Sequence, residues 1–193
     1  MSSASGLQIY LIAAKEIRNG IGNKGKLPWP RLKTDLSFME AITKETRNDR
    51  KQNAAIMGRR TWESIPPRFR PLPGRYNIVL SSKPPDEIPP GAHLVSPSLS
   101  SALDSLQTTP LCQEIEDVWI FGGTSVYEEA MRHKDCQRLY ITEVLQEFPC
   151  DAFFPHIDTS LYKIIDHSDD GRVPQGELEE NGVKYKFVVY QRQ

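Results

Sequence analysis

The sequence predicts an α/β fold: a single domain on a central, mostly parallel eight-stranded sheet, with an antiparallel C-terminal edge and about four flanking helices. Three observations carry this. Short apolar runs alternate with helical patterns through most of the 193 residues, the order that crossover-linked parallel strands require. The last two runs have no helix between them, so they pair antiparallel. Hydrophobic content of 38% and charged content of 25% suit one globular core, and no repeat, low-complexity tract or linker divides the chain. One domain over 1–193 follows, with 1–6 as a flexible N-terminal extension.

The elements can be justified in order. Gln8–Ala14 (QIYLIAA) is an apolar run of the length and continuity of a buried strand. Residues 15–31 are a long loop rich in glycine, lysine and proline. From Leu32 to Lys44 the apolar residues Leu32, Leu36, Met39 and Ile42 fall near one helical face. Asn53–Gly58 is a second buried strand, running into a short helix at Arg59–Trp62 that Pro66 and Pro67 end. Tyr76–Ser81 is a third strand, and Lys83–Gly91 a proline-rich turn. His93–Val95 is a short strand, after which Ser96-Pro97 supplies an N-cap and first-turn proline for a helix through Leu106. Asp117–Phe121 is a strand, Gly122-Gly123 a break and Thr124–Arg132 a helix. Arg138–Val144, Tyr162–Asp166 and Lys184–Gln191 complete the strands, with a polar excursion from Ser168 to Gly182 before the last.

Chemistry-bearing residues collect at the carboxyl ends of these strands, where open α/β sheets bind ligands. Gly122-Gly123-Thr124-Ser125-Val126-Tyr127 places two glycines at a helix mouth, where the backbone can approach a ligand and free amides favour phosphate. It is not the GxGxxG dinucleotide fingerprint, and a tight turn without a ligand is the commoner reading of this motif alone. Gly58-Arg59-Arg60-Thr61 joins two cations and a hydroxyl to another helix start, with a solvated basic pair as the alternative. Leu80-Ser81-Ser82-Lys83 repeats the theme. Three phosphate-friendly junctions on one rim suggest a dinucleotide, and the surplus of cations suggests an extra phosphate, hence NADPH over NADH. Asp35 lies early on a helix with apolar neighbours; either it complements the helix dipole or it faces a greasy cleft and awaits a partner. Arg75, between Pro73-Gly74 and a strand, is either a surface cation or a fork for a substrate carboxylate.

Taken together, these segments resemble dihydrofolate reductases, in the longer, eukaryotic and fungal-like form. The resemblance spans Ile9 to Tyr190 and rests on motifs in the family's order: Gly20-Ile21-Gly22 with Gly25, Leu27-Pro28-Trp29, Met57-Gly58-Arg59-Arg60-Thr61-Trp62, Ser64-Ile65-Pro66, Arg70-Pro71-Leu72-Pro73-Gly74-Arg75, Ile120 through Tyr127, and Asp151-Ala152-Phe153-Phe154-Pro155. It implies NADPH-dependent reduction of 7,8-dihydrofolate to tetrahydrofolate, supplying one-carbon metabolism and thymidylate synthesis. By the same resemblance Asp35, Thr142 and Trp29 form the catalytic set, with Asp35 orienting the pterin and favouring its protonation at N5. Ile12, Ala13, Leu27, Leu36, Met39, Ile65, Leu72 and Phe121 line the substrate pocket, and Arg75 grips the glutamate tail. Ala14, Ile21, Gly25, Gly122, Gly123, Thr124, Ser125, Val126 and Tyr127 meet the nicotinamide and pyrophosphate. Gly58, Arg59, Arg60, Thr61, Leu80, Ser81, Ser82 and Lys83 flank the adenosine phosphates. The 15–31 loop corresponds to the mobile loop over the nicotinamide.

The chain departs from the family pattern in places. Asp35 stands where the longer forms usually carry glutamate, and Met39 where vertebrate forms place an aromatic ring. Ser82 replaces a common arginine, with Lys83 one position later, and Pro97 sits where a basic residue is frequent. Two rival readings remain: a pyrimidine reductase of the flavin pathway on the same fold, and a folate- or nucleotide-binding module without chemistry. The first lacks the Leu-Pro-Trp and Asp set together with Arg75; the second has no use for Asp35. The formal net charge of −1 gives no field to recruit nucleic acid or an anionic membrane. No apolar run approaches the roughly 20 residues of a membrane span. Residues 1–6 lack a signal-peptide pattern, and three cysteines without CxxC spacing point to a reducing compartment, with cytosol as the default. His93, His133, His156 and His167 are scattered and none pairs with a cysteine at ligand spacing, so no metal is expected, and with no obvious apolar patch to bury the expected form is a monomer.

Overall fold

A computed structural model describes residues 6–166 and 169–193; the expected N-terminal extension and the start of the polar excursion at Ser168 lie largely outside them. Strand β1 (Gln8–Glu16) occupies the middle of the sheet, with β7 (Cys136–Val144) on one side and β6 (Ile115–Gly122) on the other, both parallel to it. Beyond β6 come β3 (Gln52–Gly58), β4 (Arg75–Leu80) and β5 (Leu94–Ser96), again parallel. Beyond β7 lies β11 (Val183–Arg192), antiparallel, with β10 (Leu178–Glu180) and β9 (Tyr162–Ile165) pairing on it at different registers. Eight strands lie on one path and β9 adds a ninth. The predicted class and the antiparallel C-terminal edge are therefore those of the structure. A small second sheet joins β2 (Gly20–Gly22) to β8 (Ala152–Phe153).

Both faces of the parallel sheet are covered, which is why its strands read as continuous apolar runs instead of alternating ones. Side chains one residue apart point to opposite faces. Ile9, Leu11 and Ala13 of β1 pack with α3 (Leu99–Leu106) and α5 (Thr124–Arg132), whereas Tyr10, Ile12 and Ala14 belong to the cluster under α1 (Lys33–Lys44). Helix α3 buries Leu99, Ala102, Leu103 and Leu106, the i, i+3, i+4, i+7 stripe of an amphipathic helix. Helix α2 (Arg59–Ser64) drives Trp62 against Ala55, Met57 and Val79 in a third cluster.

Several boundaries differ from expectation. The α3 cap is Ser98, whose Oγ accepts from the Ser101 amide at 3.0 Å. Ser96 stays in β5, because its carbonyl takes the Ser81 amide at 2.9 Å in the ladder. Helix α4 (Leu111–Glu114), β2, β8 and β10 are too short for periodicity to register, and α4 brings the α-helices among the described residues to five. Gly122–Gly123 is joined by a cis peptide.

Candidate active site

Parallel strands place their carboxyl ends on one rim. Register puts Ala14 beside Thr142, Met57 beside Gly122, and Gly58 beside Leu80. Helix α1, whose first turn carries Asp35, packs over the sheet face that carries Ile12, Trp119 and Tyr140. Only 9% of Asp35 is exposed. Its Oδ1 accepts a 2.6 Å hydrogen bond from the Thr142 hydroxyl. Burial pushes its carboxyl up to about 6; the Thr142 bond opposes that shift and the carboxylate of Glu180 adds to it. An acid so placed can hold or release a proton near neutral pH.

Arg75 opens β4 and is 3% exposed. Its Nε donates to the Pro73 carbonyl at 3.1 Å and one terminal nitrogen to Thr43 Oγ1 at 3.0 Å. No carboxylate among the described residues pairs with it, and burial lowers its pKa. Thr43 lies one turn after Met39, whose sulfur is 4.0 Å from the same guanidinium. Asp35, Met39, Thr43 and Arg75 thus line α1 from its acid end to its cation end.

The other expected substrate residues divide. Ile12 and Trp29 are buried in the cluster beneath α1, Trp29 meeting Phe148 edge-on at 6.1 Å. Met39 and Phe121 pack at its margin, and Phe121 also touches the α2 cluster with Ile65 and Leu72. Leu36 is half-buried and Leu27 is exposed on the loop before α1. Ala13 points to the other face of β1, into the α3–α5 core.

Around the glycines the fit is close. A Cβ on Gly122 would come within 3.0 Å of the Tyr127 ring, and φ there is +114°, so this position needs glycine. A Cβ on Gly58 would meet Val126 Cγ2 at 3.4 Å and Gly123 N at 3.7 Å; one on Gly123 would meet Thr61 Oγ1 at 3.7 Å. The two glycine junctions therefore abut. Tyr127 is buried, and its hydroxyl lies 2.9 Å from the Ile12 carbonyl and 2.8 Å from that of Phe121. Thr124 donates to the Phe153 carbonyl at 2.7 Å, tying α5 to β8, while Ser125 is exposed. Neither α2 nor α5 has a capping side chain, which leaves first-turn amides for a ligand. Ile21 packs at the edge of the core and Gly25 sits at the exposed loop tip.

Farther along the rim, Ser81 Oγ takes the Lys83 amide at 3.0 Å. Lys83 pairs with Glu87 at 3.5 Å and Arg59 with Glu63 at 2.7 Å. Arg60 is exposed and has no ion pair among the described residues, and Ser82 is exposed beside Lys83.

Sequence reasoning missed three contributors. Thr43 is a polar residue on the apolar stripe of α1, a signal the periodicity offered. Glu16, buried at the end of β1, accepts from the Arg18 and Gly20 amides at 2.9 and 2.7 Å and fixes the start of the glycine loop. Glu180 accepts from the Lys33 and Thr34 amides at 2.7 and 2.9 Å, from the far end of the chain.

Two abutting glycine junctions on the carboxyl rim of a parallel sheet, a buried acid in the first turn of α1 and a buried guanidinium at the amino end of β4 make the framework of an α/β enzyme. The chain belongs to the dihydrofolate reductase family, whose sequence pattern matches residues 8–192. It is 44% identical to the dihydrofolate reductase of Aedes albopictus over 94% of this chain and 96% of that one. Identity to the Bos taurus enzyme is also 44%, over 94% and 95%. The Schistosoma mansoni dihydrofolate reductase superposes with a TM-score of 0.82 at 37% identity, covering 97% and 99% of the two chains. These comparisons support the reductase over the flavin-pathway and non-catalytic alternatives.

Proposed function

We propose that this chain catalyses the NADPH-dependent reduction of 7,8-dihydrofolate, with Asp35 as pterin anchor and Arg75 as the partner of the tail carboxylate. The observation that carries this assignment is the pair itself. Two buried ionisable groups sit along one face of α1, and neither makes an ion pair among the described residues, with Glu40 acting on Arg75 only from a distance. Burying an unanswered charge is costly, and a ligand with a hydrogen-bonding pterin head and an anionic tail answers both.

Within that reading the chain's own groups do definable work. Thr142 fixes the Asp35 carboxyl so that its other oxygen faces the cleft. Asp35, poised at about 6, holds a proton near the pterin or accepts its N–H groups. Tyr127 draws the Ile12 and Phe121 carbonyls together at the pocket floor. The uncapped start of α5 and the glycine junctions suit a pyrophosphate, and Arg60, Ser82 and Lys83 suit a 2′-phosphate. When bound, the nicotinamide supplies the hydride. Trp29 and the 15–31 loop exclude water over the reacting rings.

The free cysteines Cys112, Cys136 and Cys150 favour a reducing, cytoplasmic setting, and we take the working form as a monomer without nucleic acid or membrane partner. No helix among the described residues is long and apolar enough to cross a membrane. The test is direct. Protein mixed with NADPH and dihydrofolate should lose nicotinamide absorbance only when both are present. No substrate-dependent loss sinks the proposal, and equal use of NADH removes the 2′-phosphate assignment.

A further inference from the structure

Helix α1 carries Asp35 in its first turn but has no cap of its own. Its N-cap position is Leu32, which has no side-chain acceptor. The cap arrives from almost 150 residues downstream. Lys33 N donates to Glu180 Oε2 at 2.7 Å and Thr34 N to Glu180 Oε1 at 2.9 Å, so one carboxylate binds two consecutive orphan amides. The Tyr185 hydroxyl donates to the same Oε1. Asn181 Nδ2 donates to the Arg31 carbonyl at 2.7 Å, on the other side of Leu32.

Glu180 and Val183 are paired across the β10–β11 turn. Asn181 and Gly182, at φ +50° and +75°, form the Asn-Gly type I′ turn that fixes hairpin register tightly. The hairpin therefore delivers Glu180 and Asn181 as a rigid clamp on α1. β11 itself pairs with β7, placing Phe187 beside Thr142. The strand that supports the clamp also flanks the hydroxyl that holds the acid.

We propose that Glu180 is a positioning residue of the reaction: from a distant hairpin it caps the helix that bears Asp35, and so sets where and in which protonation state that carboxyl meets dihydrofolate. The proposal rests on the assignment of Asp35 above. Two physical effects act in one direction. Glu180 places negative charge near Asp35, and it neutralises the amides that would otherwise favour an Asp35 anion. The groups facing Asp35 are the hydroxyl of Thr142 from β7, Tyr185 from β11 and Glu180 from β10. Among these only Glu180 is charged at neutral pH, its carboxyl held down at about 2 by the Tyr185 and Thr34 hydrogen bonds.

Glu180→Gln keeps the shape and removes the charge. In the full chain, with NADPH and dihydrofolate, the limb on which kcat/KM falls with rising pH should move down by about half a unit, the scale of a half-exposed charge pair. The KM for dihydrofolate should rise while NADPH affinity holds. Glu179→Gln, an exposed neighbour of equal charge, should leave the limb in place. An unmoved limb in Glu180→Gln, or equal movement in both variants, overturns the proposal and leaves only a structural cap. Carboxyl carbon NMR of Asp35 in the free protein reads the same shift without turnover. An inactive wild type with a Glu180-dependent titration therefore fails the reductase assignment and not this one.

Discussion

Arg138, Tyr140 and Thr142 share one face of β7, and two aspartates dock on that face. Asp35 takes the Thr142 hydroxyl at 2.6 Å and Asp170 takes the Tyr140 hydroxyl at 2.7 Å. Both are buried, at 9% and 6% exposure. Yet Asp35 is pushed up to about 6 while Asp170 is held down at about 2. Burial raises both, and the difference lies in the company. Asp170 also receives Arg172 at 2.7 Å through two nitrogens and Arg138 at 3.3 Å, and Arg172 runs on to Glu45 at 3.0 Å. Asp35 receives one neutral hydroxyl and a neighbouring carboxylate. The guanidiniums divide the same way: Arg172 and Arg138 have carboxylates, Arg75 has a threonine and a carbonyl. A buried charge answered inside the protein is architecture. A buried charge left without an ion pair is, on the proposed function, a ligand's half of a contact.

The sharpest way to break that contrast is Asp35→Asn. It keeps the shape and the Thr142 contact but removes the titratable proton. Turnover at neutral pH should fall by about two to four orders of magnitude, the range of general acid–base assistance, while NADPH affinity is preserved. Full activity in the variant would return Asp35 to the class of Asp170. Arg75→Ala should act on the other end of the cleft. Loss of one partner from a buried charge pair costs about 2–5 kcal/mol, so the KM for dihydrofolate should rise by roughly two to three orders of magnitude with kcat changed far less. An unchanged KM would mean that the guanidinium serves only Thr43 and the Pro73 turn.

Much of this contrast was legible before the fold. The two glycine junctions abut at the strand ends that the apolar runs and following glycines marked. Thr124–Arg132 forms the helix its pattern gives, and α1 differs from expectation only in starting at Lys33, with Leu32 at the N-cap position. The reason is that α1, α5 and the central strands are specified locally, by periodicity and by glycine at positions where a Cβ collides. What stayed hidden is long-range pairing of polar groups. Nothing near Asp170 announces that Tyr140 and Arg138 will reach it, and nothing near Leu32 announces Glu180. Asn181-Gly182 was a readable hairpin signal inside the segment taken as a polar excursion. Even so, the turn shows only that two strands meet, and β11 must lie against β7 before Glu180 finds α1.

The smallest effect is also the one that tests the comparison with no ligand present. Asp35 has its folded value raised above the ordinary 3.8, so its charge is disfavoured in the fold. That penalty is absent at pH below the ordinary value, grows as pH rises toward 6, and is complete above it, at about 3 kcal/mol for a shift of this size. Asp170 has its folded value depressed, so it contributes about 2 kcal/mol that is present above the ordinary value and is lost as pH falls toward 2. At pH 7, urea unfolding of the free protein should therefore find Asp35→Asn more stable than the wild type and Asp170→Asn less stable. Asp170→Asn should lose more than its own contribution, because the partly buried Arg138 is left without its carboxylate and Arg172 keeps only Glu45. At pH 4 the gain from Asp35→Asn should nearly vanish, since the wild-type carboxyl is then protonated in the fold and half-protonated out of it. Stability changes of the same sign in both variants at pH 7 would show that the two aspartates do one structural job. Opposite signs would show that the protein accepts a cost at Asp35 that it does not accept at Asp170.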